Sequence, residues 1–211
     1  MTAESPYVIG MTGASGAVYA ARLLDVLLRA GREVHLSISP SGQEVLRHEL
    51  GVSVDLARFD VNEFALRLEE ALGKFAAAGR VTDPVAPAAE GRLVYHSYRD
   101  FAAPIASGSF RTEAMVICPC SGGTLSAVVS GASTNLIQRA ADVHLKERRT
   151  LILVPREAPL SLVHLDNMRR ATEAGAVVIP ASPGWYHRPQ AMLDLVDFVV
   201  ARICDQLGVE H

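Results

Sequence analysis

Tyr7-Val8-Ile9-Gly10-Met11 runs straight into Thr12-Gly13-Ala14-Ser15-Gly16, a strand-length apolar run that ends in small residues. The pattern returns where Ala114-Met115-Val116-Ile117-Cys118 runs into Pro119-Cys120-Ser121-Gly122-Gly123-Thr124. A strand that ends in glycine and serine and feeds a helix leaves backbone N–H groups and hydroxyls free at the helix N-terminus. Such an end suits phosphate, or the polar edge of a cofactor, without any charged side chain. Two of them in one small chain point to a phosphorylated ligand gripped from two sides.

Outward from the first junction, the pattern predicts a strand over 7–12 and a helix over 16–30 that closes at Ala30-Gly31. A strand over 33–39 leads through Ser39-Pro40-Ser41-Gly42 into a helix carrying Glu44, Arg47, His48 and Glu49. Residues 60–72 read as helix. Residues 74–91 turn rich in Ala, Pro and Gly, including Asp83-Pro84-Val85-Ala86-Pro87. That stretch reads as a surface excursion of one domain spanning 1–211, not as a domain boundary. Strands follow near 92–96, 114–118, 150–155 and 176–180, with helices near 121–147 (broken), 161–174 and 188–207. In the last, Met192, Leu195, Val196, Val199, Val200, Ile203 and Leu207 recur at helical steps. Short Val- and Ile-rich strands alternating with helices predict an α/β fold, a single parallel sheet with helices on both faces. Ligands of such folds sit beyond the carboxyl ends of the strands, where both loops and Ser39 fall.

Composition narrows the function. A 211-residue chain with 49% hydrophobic residues has the material for one packed core. The mean hydropathy of +0.20 leaves apolar surface for self-association. A formal charge of -3 gives no support for nucleic-acid binding. Basic residues nevertheless gather between Arg139 and Arg170, with Arg148, Arg149 and Arg156 among them, a band that fits a small anionic ligand. The plainer reading, solvated helix faces and inter-subunit ion pairs, accounts for about half of that band. No signal peptide or membrane span is visible, and three cysteines at 118, 120 and 204 form no disulfide framework. A reducing cytoplasm and core thiols are the expectation. No metal-ligand spacing occurs among the histidines and cysteines, so no metal is expected. The first loop lacks the GK[ST] ending of a Walker motif, and Ser39-Pro40 stands where a dinucleotide site wants an acidic residue. Asp194 and Asp197 read as the solvated face of the last helix.

Several further segments stand in one order: Ala106-Ser-Gly-Ser109, Asn135-Leu-Ile-Gln-Arg-Ala-Ala-Asp142, Lys146-Glu-Arg-Arg149, Val154-Pro-Arg-Glu-Ala-Pro159 and Pro183-Gly-Trp-Tyr-His-Arg-Pro189. With the two loops, they make the chain resemble the UbiX family of flavin prenyltransferases over nearly its whole length, residues 74–92 excepted. The resemblance implies a flavodoxin-like, Rossmann-like subunit of a homo-oligomer, usually a dodecamer. It implies a site near subunit contacts, and transfer of a dimethylallyl group from dimethylallyl phosphate to N5 and C6 of reduced FMN. The prenylated FMN then serves a separate UbiD-type decarboxylase. By the same resemblance, Gly13, Ala14, Ser15, Ser39, Cys120, Ser121, Gly122, Gly123 and Arg156 hold the flavin. Lys146, Tyr186 and Arg202 hold the allylic phosphate with Arg139 close by, and Ser15, Glu49 and Glu157 assist proton transfers. Two departures stand out. The 74–91 excursion is longer than usual, and the chain stops at Val209-Glu210-His211, where many members continue into a tail with a tryptophan.

These residue types suit that chemistry. Departure of an allylic phosphate concentrates negative charge that Lys146, Arg139 and Arg202 stabilise without a metal. The cationic organic fragment finds an aromatic face in Tyr186 or Trp185, and Glu157 can pass a proton to or from phosphate. Plainer roles compete: Ser15 as a helix cap, Glu49, Lys146 and Arg202 as surface charges, Arg156-Glu157 as an ion pair holding a turn. The nearest rival is an FMN-dependent cysteinyl-peptide decarboxylase of the same fold. That family carries a histidine on its first helix and a P-x-M-N segment where Pro155-Arg156-Glu157-Ala158-Pro159 stands here. A non-catalytic flavin-binding accessory subunit is the other alternative.

Overall fold

Successive residues of β1 (Tyr7–Met11) face two different cores. Tyr7, Ile9 and Met11 belong to one and Val8 to the other. β4 (Ala114–Cys120) alternates likewise, with Val116 and Cys118 in the first core and Met115, Ile117 and Cys120 in the second. Strands buried on both sides belong in the middle of a sheet covered by two helical layers. The computed structural model describes residues 5–77 and 91–210. Its six strands pair in parallel in the order β3-β2-β1-β4-β5-β6. Here β2 is Glu33–Ile38, β3 Arg92–Tyr95, β5 Thr150–Pro155 and β6 Val177–Val178. The order reverses between β1 and β4, which opens a crevice between their carboxyl ends.

α1 (Ala17–Arg29), α2 (Pro40–Leu50), α3 (Val61–Ala77) and α7 (Met192–Leu207) cover the first face. α4 (Gly122–Val129), α5 (Leu136–Lys146) and α6 (Leu162–Glu173) cover the second. Two glycines allow close approach. A Cβ on Gly10 would stand 2.7 Å from the Ile137 side chain, so α5 seats directly on β1. A Cβ on Gly42 would stand 2.7 Å from the Met11 carbonyl oxygen, so α2 begins hard against the end of β1.

The α/β expectation holds, with local corrections. The helical region over 121–147 is two helices, separated where Gly131 adopts φ 69° and Asn135 caps α5. β4 runs on to Cys120, and a short 3-10 turn forms at Pro104–Ala106. β6, at the sheet edge, keeps only two residues of the strand expected over 176–180. The last helix begins at Met192, four residues later than expected, because Asp194 turns back to accept the N–H groups of Gln190 and Ala191. Asp197 binds Arg22 of α1 at 2.7 Å, so the pair of aspartates ties structure together instead of forming a solvated face. Of the expected excursion, residues 74–77 are the last turn of α3, and residues 78–90 lie outside the described residues. Among the described residues, no helix is long and apolar enough to cross a membrane.

Candidate active site

At the carboxyl edge, four strand ends converge. Thr12 ties the first two loops together: its hydroxyl donates to the Pro119 carbonyl at 2.7 Å and accepts the Ser121 N–H at 2.8 Å. Arg156, just beyond β5, reaches back to the Ser15 carbonyl at 3.3 Å. Ser39 caps α2 by accepting the Gly42 N–H at 3.0 Å, and Ser121 caps α4 by accepting the Thr124 N–H at 3.3 Å. Gly13, Ala14, Ser15, Ser39, Cys120, Ser121, Gly122, Gly123 and Arg156 therefore surround one crevice. Within it the thiol of Cys120 is no contact group. It is fully buried in the second core, and burial pushes its pKa up to about 12. Cys120 offers the crevice only its main chain, and the core-thiol expectation is the correct one.

The first loop departs from the open anion site that its sequence suggests. Gly16, at φ 116°, is the N-cap of α1, so Ser15 is not a cap. The cap comes from Glu49 on α2, whose carboxylate accepts the N–H of Gly16 at 2.9 Å and of Ala17 at 2.8 Å. The positive end of α1 is thus neutralised from within, and a ligand phosphate there would meet a carboxylate. The beginning of α4, with Gly122 and Gly123, carries no acidic group in its own first turn, and the Glu157 carboxylate from beyond β5 stands beside Gly122. Nothing stands within 4 Å of a Cβ built on Gly123. Glu49→Ala strips two N–H groups of their acceptor, so it should cost about 1–2 kcal/mol of stability. Equilibrium denaturation against the parent chain measures it, and an unchanged midpoint would show that the contact contributes nothing.

A second group lies elsewhere. Lys146 ends α5, four residues before β5 begins, at the amino edge of the sheet. The length of β5, roughly 17 Å, separates it from Arg156. Its ammonium pairs with Glu147 and sits over Gly108, where a Cβ would stand 2.8 Å from Nζ. Arg139 donates to the Ala106 carbonyl at 3.0 Å and pairs with Asp142 at 2.8 Å. Arg149 holds the Gly108 and Phe110 carbonyls at 2.5 and 2.7 Å. Beneath them His144 is buried, its Nδ1–H donating to the Ala140 carbonyl and its Nε2 accepting the Thr112 hydroxyl. Burial pulls His144 down to about 4, so this ring is neutral near pH 7.

The third group stands on α7 and the loop before it. Tyr186, 81% exposed, sets its ring edge-on to Phe198 at 5.6 Å, and His187 stacks on the same ring. Arg202 lies one turn beyond Phe198 on that helix and pairs with Asp205 at 2.6 Å. One chain thus brings the loops, Glu49, Arg156 and Glu157 together, but holds Arg139 and Lys146 apart from them. Exposed pairs such as Lys146–Glu147 and Arg202–Asp205 are weak, so both cations remain open to an incoming phosphate.

Comparison with known proteins decides the family. A family model described as Flavoprotein matches residues 1–204. The flavin prenyltransferase UbiX of Pseudomonas aeruginosa is 49% identical over 99% of this chain and 92% of its own length. The chain belongs to the UbiX family of flavin prenyltransferases. Among solved structures, AnUbiX in complex with FMN and dimethylallyl pyrophosphate is 35% identical, with a TM-score of 0.79 over 98% of this chain and 94% of that one. A dodecameric FMN-dependent UbiX-like decarboxylase from Escherichia coli is 36% identical, with a TM-score of 0.78 over 98% and 96%.

Two residues that the sequence did not single out stand beside the glycines of these loops. Tyr19, in the first turn of α1, lies against Gly16, where a Cβ would stand 3.0 Å from its ring. Burial and the nearby Cys118 raise its phenol pKa while Arg156 opposes them. His164 approaches Gly122 from α6. No motif marks either residue in the sequence, and His164 reaches Gly122 only through the packing of α6 beside α4.

Proposed function

We propose that this flavin prenyltransferase joins the dimethylallyl group of dimethylallyl phosphate to N5 and C6 of reduced FMN, releasing prenylated FMN for a UbiD-type decarboxylase. The observation that carries the proposal is the crevice at the carboxyl edge, where Ser15, Arg156, Glu157 and the Ser121-Gly122-Gly123 turn meet in a chain of this family. Gly13, Ala14, Ser39 and the start of α4 fit a flavin nucleotide, because small residues and N–H groups line the crevice where side chains would fill it. Reduced FMN, the acceptor substrate, supplies nucleophilic N5 and C6. Arg156 orients the flavin edge, and Ser15, whose hydroxyl does not cap α1, donates or accepts a hydrogen bond there. Glu157 moves a proton to or from the departing phosphate, with Glu49 at the mouth of the first loop. Tyr186 covers the allylic fragment, and its exposure suits a face that closes on a ligand.

Arg139, Lys146 and Arg202 neutralise the phosphate from neighbouring copies. The place of Arg139 and Lys146 on α5, away from the crevice, supports that assignment, as does the dodecameric state of the Escherichia coli relative. The chain acts as one domain in such an assembly, in the cytoplasm. The cysteinyl-peptide decarboxylase reading lacks support at its key position, since α1 carries no histidine.

The test is anaerobic incubation with reduced FMN and dimethylallyl phosphate, followed by the mass of the released flavin. One added prenyl unit, absent without protein, is the expected result. Unmodified flavin with both the monophosphate and the diphosphate donor would overturn the proposal.

A further inference from the structure

Gly122 stands between two side chains that its missing Cβ allows to approach. A Cβ there would lie 3.1 Å from Nε2 of His164 and 3.7 Å from Oε1 of Glu157. The imidazole of α6 and the carboxylate beyond β5 therefore flank the same piece of backbone, at the first turn of α4. The capping of α6 fixes which nitrogen faces that spot. Ser161 accepts the His164 N–H on its hydroxyl at 3.3 Å, and the Ser161 N–H donates to Nδ1 at 3.2 Å. A ring nitrogen that accepts a backbone N–H carries no proton, so the neutral imidazole bears its proton on Nε2, the nitrogen beside Gly122. Glu157 itself is exposed in the loop just after β5, where a carboxylate on three rotatable bonds samples many directions.

We propose that His164 is a positioning residue for Glu157: its Nε2–H holds the Glu157 carboxylate, through one bridging water, toward the flavin crevice. The inference rests on the reading of Glu157 as the proton-transfer group. It adds that α6 sets the direction of that group, and that Gly122 is needed for space as well as for its N–H.

Substitution can separate the cap from the donor, because Gln and Glu both serve at this position of a capping box. His164→Gln keeps an acceptor for the Ser161 N–H and retains N–H donors. His164→Glu keeps the acceptor, loses the donor and sets a second carboxylate beside Glu157. Both variants should hold the parental Tm to within about 3 °C. His164→Gln should keep kcat within about threefold of the parent, whereas His164→Glu should lose at least ~30-fold in kcat. FMN affinity and the KM for dimethylallyl phosphate should each change less than about threefold in both variants. Parental kcat in His164→Glu would overturn the proposal, as would equal losses in both variants tracking a fall in Tm, which would leave His164 only its cap. Glu157→Gln, assayed in parallel, separates the two layers. If it turns over like the parent, the reading of Glu157 fails. If it is inactive while His164→Glu is not, only the positioning fails.

Discussion

Glu157→Gln should bind FMN as the parent does and lose ~10²–10⁴-fold in prenyl transfer, the range a positioned general acid or base contributes. The amide occupies the same volume and keeps the loop between β5 and α6, so Arg156 can still reach the Ser15 carbonyl. What it cannot do is exchange a proton with phosphate. The flavin contacts proposed above lie on other groups: the main chain of the first loop, the Ser121-Gly122-Gly123 turn and the Arg156 guanidinium. Binding and turnover should therefore part. The absorbance of bound flavin reads the first, and a single-turnover conversion of reduced FMN reads the second. If turnover were unchanged, Glu157 would have no part in proton transfer. If flavin were lost as well, its carboxylate would be serving to shape the crevice.

Local pattern made most of the fold legible. β1 and β4 are apolar runs that end in small residues, and α7 repeats its apolar positions at helical spacing, so neither needed tertiary information. The misjudged boundaries were set by contacts between distant segments or by single capping groups. The start of α7 is decided by Asp194, and the extent of β6 by its edge position beside β5. The site divides in the same way. Gly13, Ser15, Ser121 and Gly122 sit at strand ends, and any parallel α/β fold gathers strand ends. Glu49 could not be read so: its partners lie 32 and 33 residues away, and its role appears only when α2 packs beside the start of α1. The resemblance to the family put Glu49 on the page, and the structure gives it a physical task. No motif marks His164, and only the packing of α6 beside α4 brings its ring to Gly122.

The distance between Lys146 and the crevice was available from topology alone. A residue at the end of a helix that feeds a strand lies at the amino edge of the sheet, and the glycine loops lie at the other. On the proposed assignment, a single folded chain presents half a site at each edge. The exposed apolar side chains Leu162, Val163, Trp185 and Tyr186 lie on α6 and the loop before α7, in the part of the sequence that also supplies Arg156 and Glu157. A copy docking there would cover apolar surface and bring cations to the crevice in one step, which links assembly to activity.

Mixing two inactive variants should therefore restore activity. Lys146→Ala should lose most of its use of dimethylallyl phosphate, since removing a charge-assisted contact to phosphate costs about 1.5–3 kcal/mol. Glu157→Gln fails at proton transfer. If each site takes Glu157 from one copy and Lys146 from another, random co-assembly in equal amounts leaves about a quarter of the sites with both native residues. The mixture should then turn over at about a quarter of the parental rate after dissociation and reassembly, while either variant alone stays near background. A chain carrying both substitutions, mixed with parent, controls for exchange, and light scattering confirms that the oligomer re-forms. A mixture no more active than its components, with exchange demonstrated, would place both residues in one chain's site. That result would require Lys146 to cross the sheet edge, against the position of α5 in this fold. Recovery near a quarter would show that neighbouring copies supply the cation.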